Sequence, residues 1–120
     1  MKWDDLLPVL IELLKRYPGI KGARIVSTEG LPITSIFLED MEETEIAAMT
    51  AALLALAEQS IFEMKKGKFD QLYIKGSDGY LLILQIASKA VLTVSTTKDV
   101  RIGLIFLECK RICEKIEKLF

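Results

Sequence analysis

Hydrophobic and polar positions along the chain divide it into eight segments. Lys2 to Tyr17 has helical periodicity: Trp3, Leu6, Leu10, Leu13, Leu14 and Tyr17 share one face, while Asp4, Asp5, Glu12, Lys15 and Arg16 lie elsewhere. Pro8 fits the first turn of such a helix, where a missing N–H costs little with Asp4 or Asp5 as N-cap, and Pro18-Gly19 stops it. Two short β-branched runs follow, Ala23–Thr28 and Leu31–Phe37, split by Glu29-Gly30. This predicts a β-hairpin, with Pro32 oddly placed at the start of its second strand.

A second helix is predicted to open in the acidic run Glu39–Glu45, with Asp40 and Glu43 at capping-box spacing, and to run to about Lys66 with Gly67 as its C′ residue. Next come three strands. Asp70–Lys75 alternates, with Leu72 and Ile74 on one face and Gln71, Tyr73 and Lys75 on the other. Gly76-Ser77-Asp78-Gly79 turns the chain into Tyr80–Ile86, whose nearly unbroken apolar run predicts a strand covered on both faces. Ser88-Lys89 then turns it into Ala90–Thr96. A last helix starts near Val100, with Ile105, Cys109, Ile112, Ile116 and Leu119 in one stripe and Phe106, Cys113 and Phe120 beside it. The order α-β-β-α-β-β-β-α predicts an α+β sandwich, a single domain over residues 1–120 with helices on both faces of one antiparallel sheet.

The second helix departs from a one-faced pattern. On a wheel, Ile46, Met49, Leu53, Leu56, Ala57, Ile61 and Met64 form a side suited to a sheet. The opposite side holds Ala48, Ala51, Ala52, Ala55, Gln59 and Phe62, and no charge falls between Glu45 and Glu58. Alanine is the best helix former and tolerates water. A small apolar face also suits close packing against another helix. The other two helices are needed on the far face of the sheet, so the expected partner is a second copy. The predicted interface comprises Ala48, Ala51, Ala52, Ala55 and Gln59, with Leu72, Tyr73 and Ile74 of the half-polar strand pairing across a two-fold axis.

Composition narrows function mainly by exclusion. The chain has 120 residues, 51% hydrophobic and 28% charged, with a net charge of −1, an ordinary globular balance that argues against a dedicated nucleic-acid binder. Acids at Asp4 and Asp5 disfavour a signal peptide, and the charge-free stretch Ile46–Ala57 is short for a bilayer. The expectation is a soluble, cytoplasmic protein without membrane insertion. With no histidine and two cysteines, no zinc set or Ser-His or Cys-His pair is available, and Cys109 and Cys113 read as small core hydrophobes. No P-loop or dinucleotide fingerprint is present, so the chain is not expected to bind GTP itself, to carry a cofactor or to be an enzyme. Arg24 and Arg101 are the candidates for an arginine finger offered to another protein's site.

Three segments carry a family resemblance. Pro18–Ser35, "PGIKGARIVSTEGLPITS", resembles the first hairpin of the roadblock/LC7 family, which includes bacterial and archaeal members related to the gliding-motility GTPase-activating protein. Gly76–Val94, "GSDGYLLILQIASKAVLTV", is similar to its Gly-Tyr strand and last hairpin, and Ile102–Ile116, "IGLIFLECKRICEKI", to the Gly-Leu opening of its final helix. The resemblance implies a roadblock/profilin-like five-stranded sheet in which the second strand is an edge, a place where Pro32 is tolerated. It also implies that dimers join at the opposite edge and along the second helix. The implied partner is a Ras-like small GTPase, bound by a homodimeric adaptor or regulator. Glu45, Glu58, Gln59 and Phe62, which ring the alanine face, are the expected contacts, with Phe62 as the aromatic anchor. The competing expectation is a small-molecule-sensing module of profilin/PAS type, which requires a cavity with convergent polar groups.

Overall fold

The computed structural model describes residues 3–38 and 40–119. A 3-10 turn over Trp3–Leu6 leads into α1 (Leu7–Arg16), followed by β1 (Ile20–Ser27), β2 (Pro32–Phe37), α2 (Glu43–Glu63), β3 (Gln71–Gly76), β4 (Gly79–Ile86), β5 (Ala90–Thr96) and α3 (Ile102–Glu117). The strands form one antiparallel sheet in the order β2-β1-β5-β4-β3. The expected fold class is therefore observed. Pro32 lies on an edge strand, beside a register shift between Ile25 and Val26, so its missing N–H interrupts no central ladder.

Strand alternation divides the core in two. Ala23 and Ile25 of β1, Leu82, Leu84 and Ile86 of β4, and Ala90, Leu92 and Val94 of β5 face the layer made by α1 and α3. From that layer Leu6, Leu10, Leu13, Ile105, Cys109, Cys113 and Ile116 fill the larger core. Val26, Ile83 and Val91 face the other way and pack with Ala47 and Leu54 of α2. The central strands are thus covered on both sides, as their apolar runs require.

Several boundaries differ from expectation for local reasons. Pro8 does sit in the first turn of α1, but the N-cap is Leu6 and the 3-10 turn precedes it. The helix α2 starts at Glu43 with no side-chain cap, so the Asp40/Glu43 capping box does not form. Glu43 instead accepts a hydrogen bond from the Ser35 hydroxyl on β2. The helix ends at Glu63, and Lys65, not Gly67, takes the left-handed C′ position with φ 58°. The Lys65 N–H donates to the Phe62 carbonyl at 3.1 Å and the Lys66 N–H to the Ile61 carbonyl at 2.9 Å, a Schellman closure. On α3, Leu119 is past the helix end and 45% exposed. Lys2, Glu39, Phe120 and the side chains of Trp3 and Asp4, to which the sequence reading also gave places, lie outside the described residues.

Candidate interaction surface

The helix α2 approaches the sheet most closely over β1 and β2. Its buried residues are Ala47, Thr50 and Leu54, with Ala51, Leu53, Ala57 and Ile61 half-buried beside them. Small side chains at the contact let the backbone come down onto the sheet. At Gly30, whose φ is 91°, a Cβ would already stand 3.2 Å from that of Ala51. Thr50 is accommodated by donating its hydroxyl to the Ile46 carbonyl at 2.8 Å.

This orientation corrects the helical wheel. Met49, Leu56 and Met64, expected against the sheet, are exposed, Leu56 by 61% and Met64 by 71%. Ala51, expected outward, turns toward the β1–β2 turn. The reason is that small residues, not large ones, make the closest contact, which rotates the helix relative to a ranking by size. The outer face then carries Ala48, Ala52, Ala55 and Gln59 together, with Met49 and Leu56 also exposed. Glu45, Glu58 and Phe62 surround it, all exposed, Phe62 by 75%. The absence of charge between Glu45 and Glu58 therefore belongs to a surface.

The strand β3 supplies the adjoining edge. Leu72 is half-buried on the α2 face, and Ile74 on the same face is 41% exposed. Tyr73 points to the opposite face, 5.4 Å from the Phe106 ring of α3 in an edge-to-face contact. The structure thus puts the alanines, Leu72 and Ile74 on one side of the molecule and Tyr73 on the other.

Other expected residues fall away from this surface. Arg24 is 2% exposed, buried under α2 with its guanidinium 4.6 Å from the Phe37 ring, so it cannot reach into another protein's site as an arginine finger. Arg101, at the N-cap of α3, is exposed. Cys109 and Cys113 are free and buried in the core. Burial, with a smaller push from Glu108, raises the Cys109 thiol from its ordinary 9.0 to about 12, and burial raises Cys113 as well. Neither is a thiolate nucleophile at neutral pH. At 21 residues, α2 is long and apolar enough to cross a bilayer by length and composition alone, which the charge-free stretch had not suggested; here its inner face is packed on the sheet.

Sequence reasoning missed the outward flank of Met49 and Leu56 and a polar row beneath α2, in which Ser35, Arg24 and Thr93 are cross-strand neighbours. The sequence carried no periodic signal for this row, which forms only when the paired strands bring Ser35, Arg24 and Thr93 into register.

Known proteins share this architecture. Residues 7–96 match the Roadblock/LC7 domain. An uncharacterized protein of Methanocaldococcus jannaschii, MJ1340, is 36% identical over 112 residues, covering 93% of this chain and 96% of its own. Among solved structures, MglB of Myxococcus xanthus superposes with a TM-score of 0.91 at 22% identity, covering 98% of this chain and 89% of that one. A Roadblock/LC7 domain from Streptomyces avermitilis gives a TM-score of 0.85 at 17% identity, over 92% of this chain and 93% of that one. With the domain match running from α1 through all five strands, two before α2 and three after it, and a relative similar along almost its whole length, the chain belongs to the Roadblock/LC7 domain family.

Proposed function

We propose that this chain is a homodimeric adaptor that binds a Ras-like small GTPase and regulates it or places it on a larger assembly, with no catalytic group of its own. The observation that carries the reading is the outer face of α2. It is apolar from Ala48 to Leu56, lacks charge, and adjoins the edge strand β3. Membership of the Roadblock/LC7 family and the likeness to MglB support a GTPase-regulating role. A second copy related by a two-fold axis would cover the alanine face with its own and extend the sheet by pairing β3 with β3. Small side chains favour that arrangement because they bring two helix backbones close together. The GTPase would dock on the surface spanning both copies, with Phe62 as the aromatic anchor and Glu45, Glu58 and Gln59 around it.

The test is a titration of the dimer with small GTPases of the native organism, each loaded with GTP and with GDP. One of them is expected to bind with different affinities in the two states, because its switch loops rearrange with the nucleotide. Phe62→Ala should weaken that binding by about 1–3 kcal/mol, with oligomeric state measured in parallel. Absence of binding in either state would sink the proposal.

A further inference from the structure

The charges of the second helix are sorted to its two ends. Asp40, Glu42, Glu43 and Glu45 gather at the start of α2, and Lys65, Lys66 and Lys68 just past its end. Glu43 is engaged by the Ser35 hydroxyl. Asp40 and Glu42 are exposed and form no ion pair among the described residues, and the same holds for the three lysines. Two acids flank the lysines. Glu63 leaves that end with a net charge of +2, and Asp70 is held 3.4 Å from Lys110 of α3.

Backbone geometry sets the basic end apart as well. Lys65 takes φ 58°, a conformation that strains its Cβ and that glycine adopts freely. The cap thus carries a cation at a conformational cost. It does so in a segment that stands clear of the fold: residues 62–68 are all exposed, and a Cβ at Gly67 would meet nothing within 4 Å. A local rule is broken in this way where some other contact needs the residue.

Two-fold symmetry turns the sorting into complementarity. The middle of α2, at Leu53, nearly coincides with the middle of the outward stretch Ala48–Gln59. Two such helices packed antiparallel about that point set Glu42 of one copy level with residues 64–65 of the other. The symmetry repeats the contact at the far end. Helix axes in contact lie about 8–10 Å apart, a gap that lysine and carboxylate side chains span together. Parallel packing would put acid beside acid and base beside base. The alanines alone do not distinguish the two directions; the charged ends do.

We propose that a second copy of this chain is recognised by charge. Asp40 and Glu42 of each copy pair with Lys65, Lys66 and Lys68 of the other, which fixes the antiparallel direction of the two α2 helices. The charge pairing rests on the homodimer proposed above and adds what selects its mate and its direction.

The experiment uses two variants of the whole chain. One carries Lys65→Glu, Lys66→Glu and Lys68→Glu, the other Asp40→Lys and Glu42→Lys. Each alone is expected to raise the dimer dissociation constant about tenfold or more at low ionic strength, because like charges then face each other at both ends of the interface. Mixed in equal amounts, the two should pair about as tightly as the wild type, since every altered end then meets its opposite. Added salt should narrow these differences. Sedimentation reads the mass, and circular dichroism checks that each variant is folded. Variants that dimerise as tightly as the wild type, or a mixture no tighter than its parts, would overturn the charge pairing and leave the dimer standing. A monomeric wild type would remove the dimer and the pairing together.

Discussion

Thr93 and the two cysteines show how single buried groups bear on stability. A hydroxyl desolvated without a partner costs free energy, and valine has the same shape. Thr93→Val should therefore raise stability by about 1 kcal/mol, read as a higher urea midpoint at unchanged slope. The cysteines make stability depend on alkaline pH. The Cys109 thiol titrates near 12 in the fold and near 9.0 in the open chain, and burial shifts Cys113 in the same direction. Between those values the unfolded state releases protons that the native state keeps. The stability held below pH 9.0 is therefore lost progressively as pH rises toward 12. The double variant Cys109→Ala, Cys113→Ala, though less stable at neutral pH, should show a flatter decline in unfolding midpoint above pH 9. Equal slopes for the two proteins would refute the assignment.

At the scale of elements, ends and close approaches dominate. The Schellman closure of α2 puts a side chain in the left-handed region at Lys65, where glycine carries no Cβ penalty. Lys65→Gly should stabilise the protein by about 0.5–1 kcal/mol despite the added freedom of the unfolded chain, and thermal unfolding would show it. The β3–β4 turn has the opposite sensitivity. A Cβ at Gly79 would lie 2.0 Å from the backbone carbonyl oxygen of Thr96, so β4 and β5 would have to separate. Gly79→Ala should cost about 2–3 kcal/mol, and a variant as stable as the parent would show that this end of the sheet yields easily.

For the whole molecule the decisive quantity is association. Two chains of 13.5 kDa should scatter as one particle of twice that mass at micromolar concentration. Ala52 is exposed in the single chain, so Ala52→Arg places a solvated charge there and leaves the fold intact. In a helix-to-helix contact the same charge would be desolvated without a partner. The variant should therefore be a folded monomer, with unchanged circular dichroism and half the scattering mass. A dimeric Ala52→Arg would place the interface elsewhere.

The order of elements and the double coverage of Tyr80–Ile86 were legible in the sequence, because hydrophobic period and turn chemistry act over a few residues, whereas the edge position suited to Pro32 followed from the family resemblance. The apolar, charge-free nature of the second helix was legible for the same reason. Its rotation was not. The choice between burying Leu56 and burying Ala47 depends on what lies beneath, and only the paired strands place Gly30, Val26 and Arg24 under the helix. The polar row was invisible for a related reason. Ser35, Arg24 and Thr93 are distant in sequence, and only strand register makes them neighbours, so their shared burial is decided by the tertiary structure.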